Sequence, residues 1–470
     1  MHPRTVSAQR APVRDSRQPV TSPSNSSEAA ADVEGVLGLG SGIGIVVASM
    51  VGAGVFLSAG FMAQNLTAGW ILVAWIVGAL LAMAGARTYA EVSILIPRSG
   101  GEYRYLSELI HPAVGYLAGW ASLLVGFSAP MAISAYSAAA FANTVVQGGD
   151  ARIGASVLIV AIAILHSVGY RTSTWAQNAL VSLKGALVLA FVAMGMAGGQ
   201  SAWPTWTPAS GATGFAPAAF ATSLFFVSYA FSGWNAAVYA AEEFKHPRRD
   251  VPAAMLIGCS LVGVAYLVVN WVLVANLTPE RAQVVFDYEQ ARVTVGHLVA
   301  QDILGDTGSA VMSSGIALAL VSSTSAMLLV GPRVYAEMAR DGFLPAVLAG
   351  QRGAPPRGSV ALQAVLAIAL LHLHSVGELL SNVAGVLVVF STLVAVGLLV
   401  RARRGSDAMP RPRPGALVAA CIYIASSGWM LYNAFKAHTG LLPWLGVVAV
   451  AGLAAFAVTR GRAERTRAPD

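Results

Sequence analysis

Charge in this chain comes in patches, and between the patches lie uncharged apolar runs that recur from Val36 to Thr459. Many of them reach about 20 residues, enough for a helix to cross a hydrocarbon core of about 30 Å. That recurrence limits the fold more than any other feature. Over 470 residues, 56% are hydrophobic and only 11% charged, with mean hydropathy +0.65. Soluble domains carry about a quarter charged residues. The chain therefore reads as a polytopic, all-α membrane protein.

Twelve spans follow from the runs: 36–62, 69–95, 113–146, 153–169, 174–197, 215–241, 251–277, 308–338, 359–374, 377–400, 415–436 and 441–459. The segment 278–306 carries Glu280, Asp287, Glu289, Asp302 and Asp306 and is expected to be partly helical outside the membrane. Residues 1–35 are polar, rich in Ser, Pro and Arg, and lack an apolar h-region, so a disordered cytoplasmic tail is expected rather than a signal peptide. A basic tail, 461–470, closes the chain. With the N-terminus inside, only Arg152, Arg281, Arg292 and Lys436 fall in outer segments, and Arg87 and Lys184 lie within spans. The other 23 of the 29 Lys and Arg residues fall on the inner side. This places both termini in the cytoplasm by the positive-inside rule. The net charge of +7 thus reports topology rather than a nucleic-acid partner. Cys259 and Cys421 both sit in apolar runs and read as small buried residues, not as a disulfide framework.

Within the first span, the stretch SMVGAGVF (Ser49–Phe56) puts Gly52 and Gly54 near the bilayer midplane. Glycine weakens a helix, and a break there frees backbone N–H and C=O groups, which survive in a membrane only beside a cavity or ligand. A packing face is the alternative, since Gly40 and Gly44 also show GxxxG spacing. A second such stretch, YAFSGWN (Tyr229–Asn235), occurs in the sixth span, about 180 residues later. Two interrupted helices at matching positions of two halves point to an inverted-repeat transporter with its site at the midplane.

Lys184 is the one obvious charge deep in the bilayer, about ten residues from either end of the fifth span. An ammonium there costs about 3 kcal/mol on insertion scales, and mid-span it is too far from either interface to snorkel comfortably. Its candidate partners are the freed carbonyls around Met50 to Gly52 and the hydroxyls of Ser322, Ser323, Thr324 and Ser325 in the eighth span. Those hydroxyls could equally bond back to the preceding helical turn. Arg87 is spaced i,i+4 from Glu91, as in a helix-end ion pair or interface anchor. Glu242 and Glu243, before Lys245, Arg248 and Arg249, read as a solvated or ion-paired gate rather than a substrate carboxylate site. None of the eight histidines has metal-ligand spacing, and no metal or cofactor is expected. GLGSGIG (Gly38–Gly44) lacks the preceding strand that a dinucleotide loop needs. No GxSxG elbow or intramembrane acid–base pair supports an enzyme.

Four segments, VGAGVF (51–56), YAEVSILIPRSGGEYRYL (89–106), SGWNAAVYAAEEFKHPRRDVP (232–252) and GPRVYAEMARDGFLP (331–345), resemble the amino acid–polyamine–organocation transporter superfamily. Within it, the chain resembles bacterial relatives of the L-type amino-acid transporters, over about residues 36–460. The resemblance implies two inverted five-helix repeats, here 36–197 and 215–400, plus two peripheral helices in 415–459, with helices 1 and 6 broken at the midplane. It implies that a substrate α-carboxylate meets N–H groups of Gly52, Ala53 and Gly54. The α-ammonium would meet carbonyls of Met50, Tyr229, Ala230 and Ser232. Free N–H groups at a half-helix start suit an anion, and carbonyls at a broken C-terminal end suit a cation. Tyr229 falls where relatives carry an aromatic gate.

By the same resemblance, Lys184, with Ser322 and Ser323, stands where sodium-coupled cousins hold an ion. Sodium independence would follow, with exchange or proton coupling in its place. A lysine that can give up its proton suits coupling, and one that keeps its charge acts as a fixed substitute for sodium. Relatives often read Gly-Ser-Gly in the first break, so Ala53 removes a hydroxyl and bears on substrate preference. Residues 147–152 contain no cysteine, so no disulfide-linked heavy subunit is expected. These readings converge on an inner-membrane transporter of amino acids with no enzymatic activity. Neutral side chains are favoured because no acidic residue is evident at the site. A cationic amino acid or polyamine exchanger and a membrane-bound amino-acid sensor with little flux are the alternatives.

Overall fold

The computed structural model describes residues 37–146, 148–168, 170–199, 203–204, 206–351, 355–404, 410–437 and 441–467. The expected disordered tail, 1–35, lies outside them. Among the described residues no strand is present, only an isolated parallel bridge between Leu37 and Phe244.

The first apolar run forms two helices, α1 (Leu39–Met50) and α2 (Ala53–Met62), and the second forms α3 (Ala68–Leu95). Then come the short α4 (Gly101–Leu109), α5 (Pro112–Ala121) and α6 (Ser128–Asn143), the last two joined by a π-helical turn, Ser122–Phe127. Next are α7 (Ala151–Val168), α8 (Tyr170–Gly198) and α9 (Pro217–Phe231), with a 3-10 segment, Ala236–Glu243. α10 (Pro247–Ala275) precedes two short helices, α11 (Pro279–Asp287) and α12 (Glu289–Val293). The chain closes with α13 (Val295–Arg340), α14 (Arg357–Leu373), α15 (Val376–Arg404), α16 (Pro414–Ala437) and α17 (Leu441–Arg467). Proline opens α5, α9, α10 and α11, where its missing N–H would have had no helical partner. The chain 461–467, expected as tail, continues α17.

Among the described residues, eight helices are long and apolar enough to cross a membrane: Leu39–Met62, Ala68–Leu95, Pro112–Asn143, Ala151–Val168, Pro247–Ala275, Val295–Arg340, Val376–Arg404 and Pro414–Lys436. The shorter Ser182–Gly198, Arg357–Leu373 and Leu445–Thr459 are also apolar. Exposure agrees with a lipid surround. On α7, Ile153, Val157, Val160, Ile164 and Val168 face out, whereas His166 is buried. Water would reverse that order. This is a multi-pass membrane protein.

Among the packed helix pairs are α2 with α9, α3 with α10, α6 with α13 and α7 with α14. Ser58 of α2 donates to the Phe226 carbonyl of α9 at 3.1 Å. Within α13, Gly305 (φ 69°, ψ −170°) breaks the helical path, so the turns before it belong with α11 and α12 rather than with the span.

Candidate functional site

At the first break, Val51 (φ −69°, ψ 96°) and Gly52 (φ −140°, ψ −156°) are extended. α1 therefore stops at Met50 and a new helix starts at Ala53. Gly54, one residue on, is fixed by space. A Cβ there would lie 2.4 Å from Ala230 Cα, so α2 and α9 meet backbone to backbone. At the second break, Tyr229, Ala230 and Phe231 end α9, Ser232 (ψ 142°) leaves the helix, and Gly233 (φ 101°) turns the chain. The two interruptions face each other. A Cβ on Gly233 would stand 2.8 Å from the carbonyl group of Ser49.

Lys184, 2% exposed, reaches the first break. Its ammonium donates to the carbonyls of Ala48 (3.2 Å) and Val51 (2.5 Å) and to Ser323 Oγ (3.0 Å). Three N–H donors meet three oxygens. The two carbonyls belong to the end of α1, where helix dipoles leave partial negative charge, so the cation caps a broken helix. Ser323 also lies 3.2 Å from the Val51 carbonyl and 3.3 Å from that of Ala319. The hydroxyl cluster otherwise divides. Thr324 bonds back to Leu320 at 3.0 Å, and Ser325 pairs with His166 at 2.8 Å. Ser322 is buried beside Ser323.

The amide N–H groups of Gly52, Ala53 and Gly54 lie at the start of α2, as the sequence predicts. Of the expected ammonium-binding carbonyls, Tyr229 accepts from Ser232 N–H at 3.0 Å. Met50 and Ala230 share a partner that the sequence reading missed. The hydroxyl of Tyr266 on α10 donates to Met50 at 2.6 Å and lies 3.2 Å from Ala230. One hydroxyl proton serves both carbonyls, so they converge on a common point. A lone tyrosine inside an apolar run was the available signal. Tyr266 is packed between Trp75 and Phe231, with ring centroids 5.6 and 5.2 Å away.

A second missed residue is Glu102 at the start of α4. It accepts from Tyr89 at 2.9 Å, from Asn235 Nδ2 at 2.6 Å and from the Tyr239 hydroxyl. It lines a cavity of about 70 Å³ with Ser49, Ser122, Ser232, Asn235 and Tyr239. The Ser122–Phe127 turn forms part of the same wall, and π-turns inside helices often mark functional sites.

Residues 37–452 match the sequence profile described as amino acid permease. The chain belongs to the amino acid permease family. Large neutral amino acids transporter small subunit 2 of Mus musculus is 25% identical over 413 residues, covering 84% of this permease and 75% of the relative. Asc-type amino acid transporter 1 of Rattus norvegicus is 28% identical over 327 residues, 67% and 60% of the two chains. The b(0,+)-type amino acid transporter 1 of Mus musculus is 29% identical over 251 residues, 52% of each. The permease is a transporter and not an enzyme.

Several of its other charges are paired. Arg87 pairs with Glu91 at 3.1 Å, as their spacing requires. Glu243 pairs with Arg333 at 3.3 Å, so this member of the Glu242–Glu243 pair is an ion-paired group at the end of the sixth span. His372 and His374 bond to Ser156 and Glu378 near the surface. Among the described residues no cluster of metal-ligating side chains is present. Cys259 is buried, but Cys421 is exposed, against expectation. α16 presents that face outward, where an apolar thiol suits lipid as well as a core.

Proposed function

We propose that this permease carries amino acids across the inner, cytoplasmic membrane by alternating access. The twelve spans form two inverted five-helix units, 36–197 and 215–400, with two peripheral helices in 415–459 and both termini cytoplasmic. The carrying observation is that the two helix interruptions face each other at Ser49 and Gly233. The repeat is supported by four packed pairs, α2 with α9, α3 with α10, α6 with α13 and α7 with α14, each of which joins a span to the one five places later.

The amides of Gly52, Ala53 and Gly54 take the α-carboxylate, and the carbonyls of Met50, Tyr229, Ala230 and Ser232 take the α-ammonium. Convergence of the Met50 and Ala230 carbonyls on one donor supports that assignment. Lys184, with Ser323 and its buried neighbour Ser322, substitutes for a coupling sodium, which makes transport sodium-independent and driven by exchange or protons. Neutral amino acids are the primary cargo, as the name of one relative suggests. Residues 147–152 contain no cysteine, so the permease works without a disulfide-linked heavy subunit.

Uptake of labelled amino acids into proteoliposomes tests this reading, with the full set in competition, with and without sodium and a pH gradient. Sodium-independent, saturable flux is expected. Acceleration by internal amino acid would select exchange. Tight binding without flux would instead identify a sensor.

A further inference from the structure

The stretch RSGGEYRYL reads as a polar connection between spans, yet it delivers a carboxylate to the interior. Gly100 and Gly101 have φ values of 115° and 55°, which side-chain-bearing residues rarely adopt. A Cβ on Gly101 would lie 2.2 Å from the Tyr239 ring. The chain thus turns inward and begins α4 against Tyr239, leaving Glu102 only 7% exposed.

Among the described residues, every donor to this carboxylate is neutral. Oε1 accepts from Tyr89 and Asn235, and Oε2 accepts from Tyr239. Among the described residues Glu102 forms no ion pair. A carboxylate offers about four acceptor positions, so Oε2 keeps one. Glu102 also lines two cavities. One, of about 70 Å³, reaches Ser49 and Ser232 at the breaks, and the other, of about 60 Å³, runs toward Ser228, Ser391 and Tyr423. A water needs roughly 10–15 Å³ by the same measure, so each space holds several small groups.

Three neutral hydrogen bonds return only part of the hydration that a buried carboxylate gives up; a cation returns more. We propose that Glu102 is the counter-charge for a cationic side chain, so that the permease takes amino acids ending in an ammonium or guanidinium as well as neutral ones. This rests on the breaks being the amino-acid site. A neutral substrate leaves the three donors in place, and a cationic one adds the missing fourth partner. The sequence favours neutral cargo because no acidic residue is evident at the site. Glu102 supplies that residue from outside the spans.

The test compares L-lysine with L-norleucine, which share one carbon chain and differ by the terminal ammonium. Both compete against labelled norleucine uptake in proteoliposomes. In the wild type lysine competes. Glu102→Gln raises the lysine-to-norleucine ratio of inhibition constants at least tenfold, equivalent to about 1.4 kcal/mol. A shift under threefold overturns the proposal, since a mere structural latch moves both constants together. Tyr239→Phe provides an independent reading, because it frees a second position on Oε2 and shifts the ratio in favour of lysine. No shift there also overturns it. Absence of norleucine uptake by the wild type would instead count against the amino-acid site itself.

Discussion

Lys184 donates to the Ala48 carbonyl and shares that of Val51 with Ser323 at the end of α1, in a dry interior. Lys184→Ala therefore removes a charge-assisted cap and takes a donor from buried acceptors, at a cost of about 1–3 kcal/mol. Uptake is expected to fall at least tenfold and the apparent Tm to drop. Unchanged flux in proteoliposomes would dismiss the lysine from the mechanism. The glycines of the first break make a separate, graded prediction. In Gly54→Ala the new methyl meets Ala230 backbone at 2.4 Å, and overpacking of this kind costs about 1–3 kcal/mol. Gly52 has an extended φ that any residue adopts, and its added methyl would lie 3.4 Å from Ser323 Oγ, an ordinary contact. Thermal melts should rank Gly54→Ala well below Gly52→Ala; equal melting would refute the close-packing account. Lys184 was legible in the sequence because a charge in an apolar run has to be explained. Glu102 was not, because RSGGEYRYL has the composition of a solvated loop, and only its backbone turns show that it points inward.

The helices were legible to the extent that hydropathy defines them. Long apolar runs returned as helices, and the glycine-bearing interruption between α1 and α2 fell where it was expected. Elements that hydropathy does not mark were missed. α4 is short and amphipathic, the Ser122–Phe127 turn differs from its neighbours in hydrogen bonding rather than composition, and the kink at Gly305 lies among polar residues. One small element carries its own prediction. Leu37, just before α1, accepts from Lys245 N–H and donates to the Glu243 carbonyl, both at 2.9 Å. This clasp joins the start of the first broken helix to the end of the second. Alternating access requires the clasp to open. With the native cysteines replaced, Leu37→Cys combined with Phe244→Cys places two thiols on facing residues of a parallel bridge. Oxidation should stop uptake and a reductant should restore it. Full activity of the oxidised, cross-linked protein would show that this end stays closed throughout the cycle.

For the whole molecule, the number of crossings decides whether the two units are inverted, and parity gives that number a sharp test. Among the described residues between Arg152 and Arg403, four helices are long and apolar enough to cross a membrane: α7, α10, α13 and α15. Four crossings would leave both arginines on one side. The proposed arrangement adds α8, the interrupted α9 and the short α14, giving seven, and so puts the arginines on opposite sides. α14 has 17 residues, about 25 Å of helix at 1.5 Å per residue, enough for a thin or locally compressed core. Both arginines are exposed, and Cys421 is the exposed native thiol to remove first. On that background, Arg152→Cys should react with a membrane-impermeant maleimide in intact cells, and Arg403→Cys only in inverted vesicles. That orientation also follows from the excess of Lys and Arg assigned to the inner side. Reaction of both from one face would reduce the crossings to an even number. An odd number of α8, α9 and α14 would then fail to cross, and the two five-helix units could not both be complete.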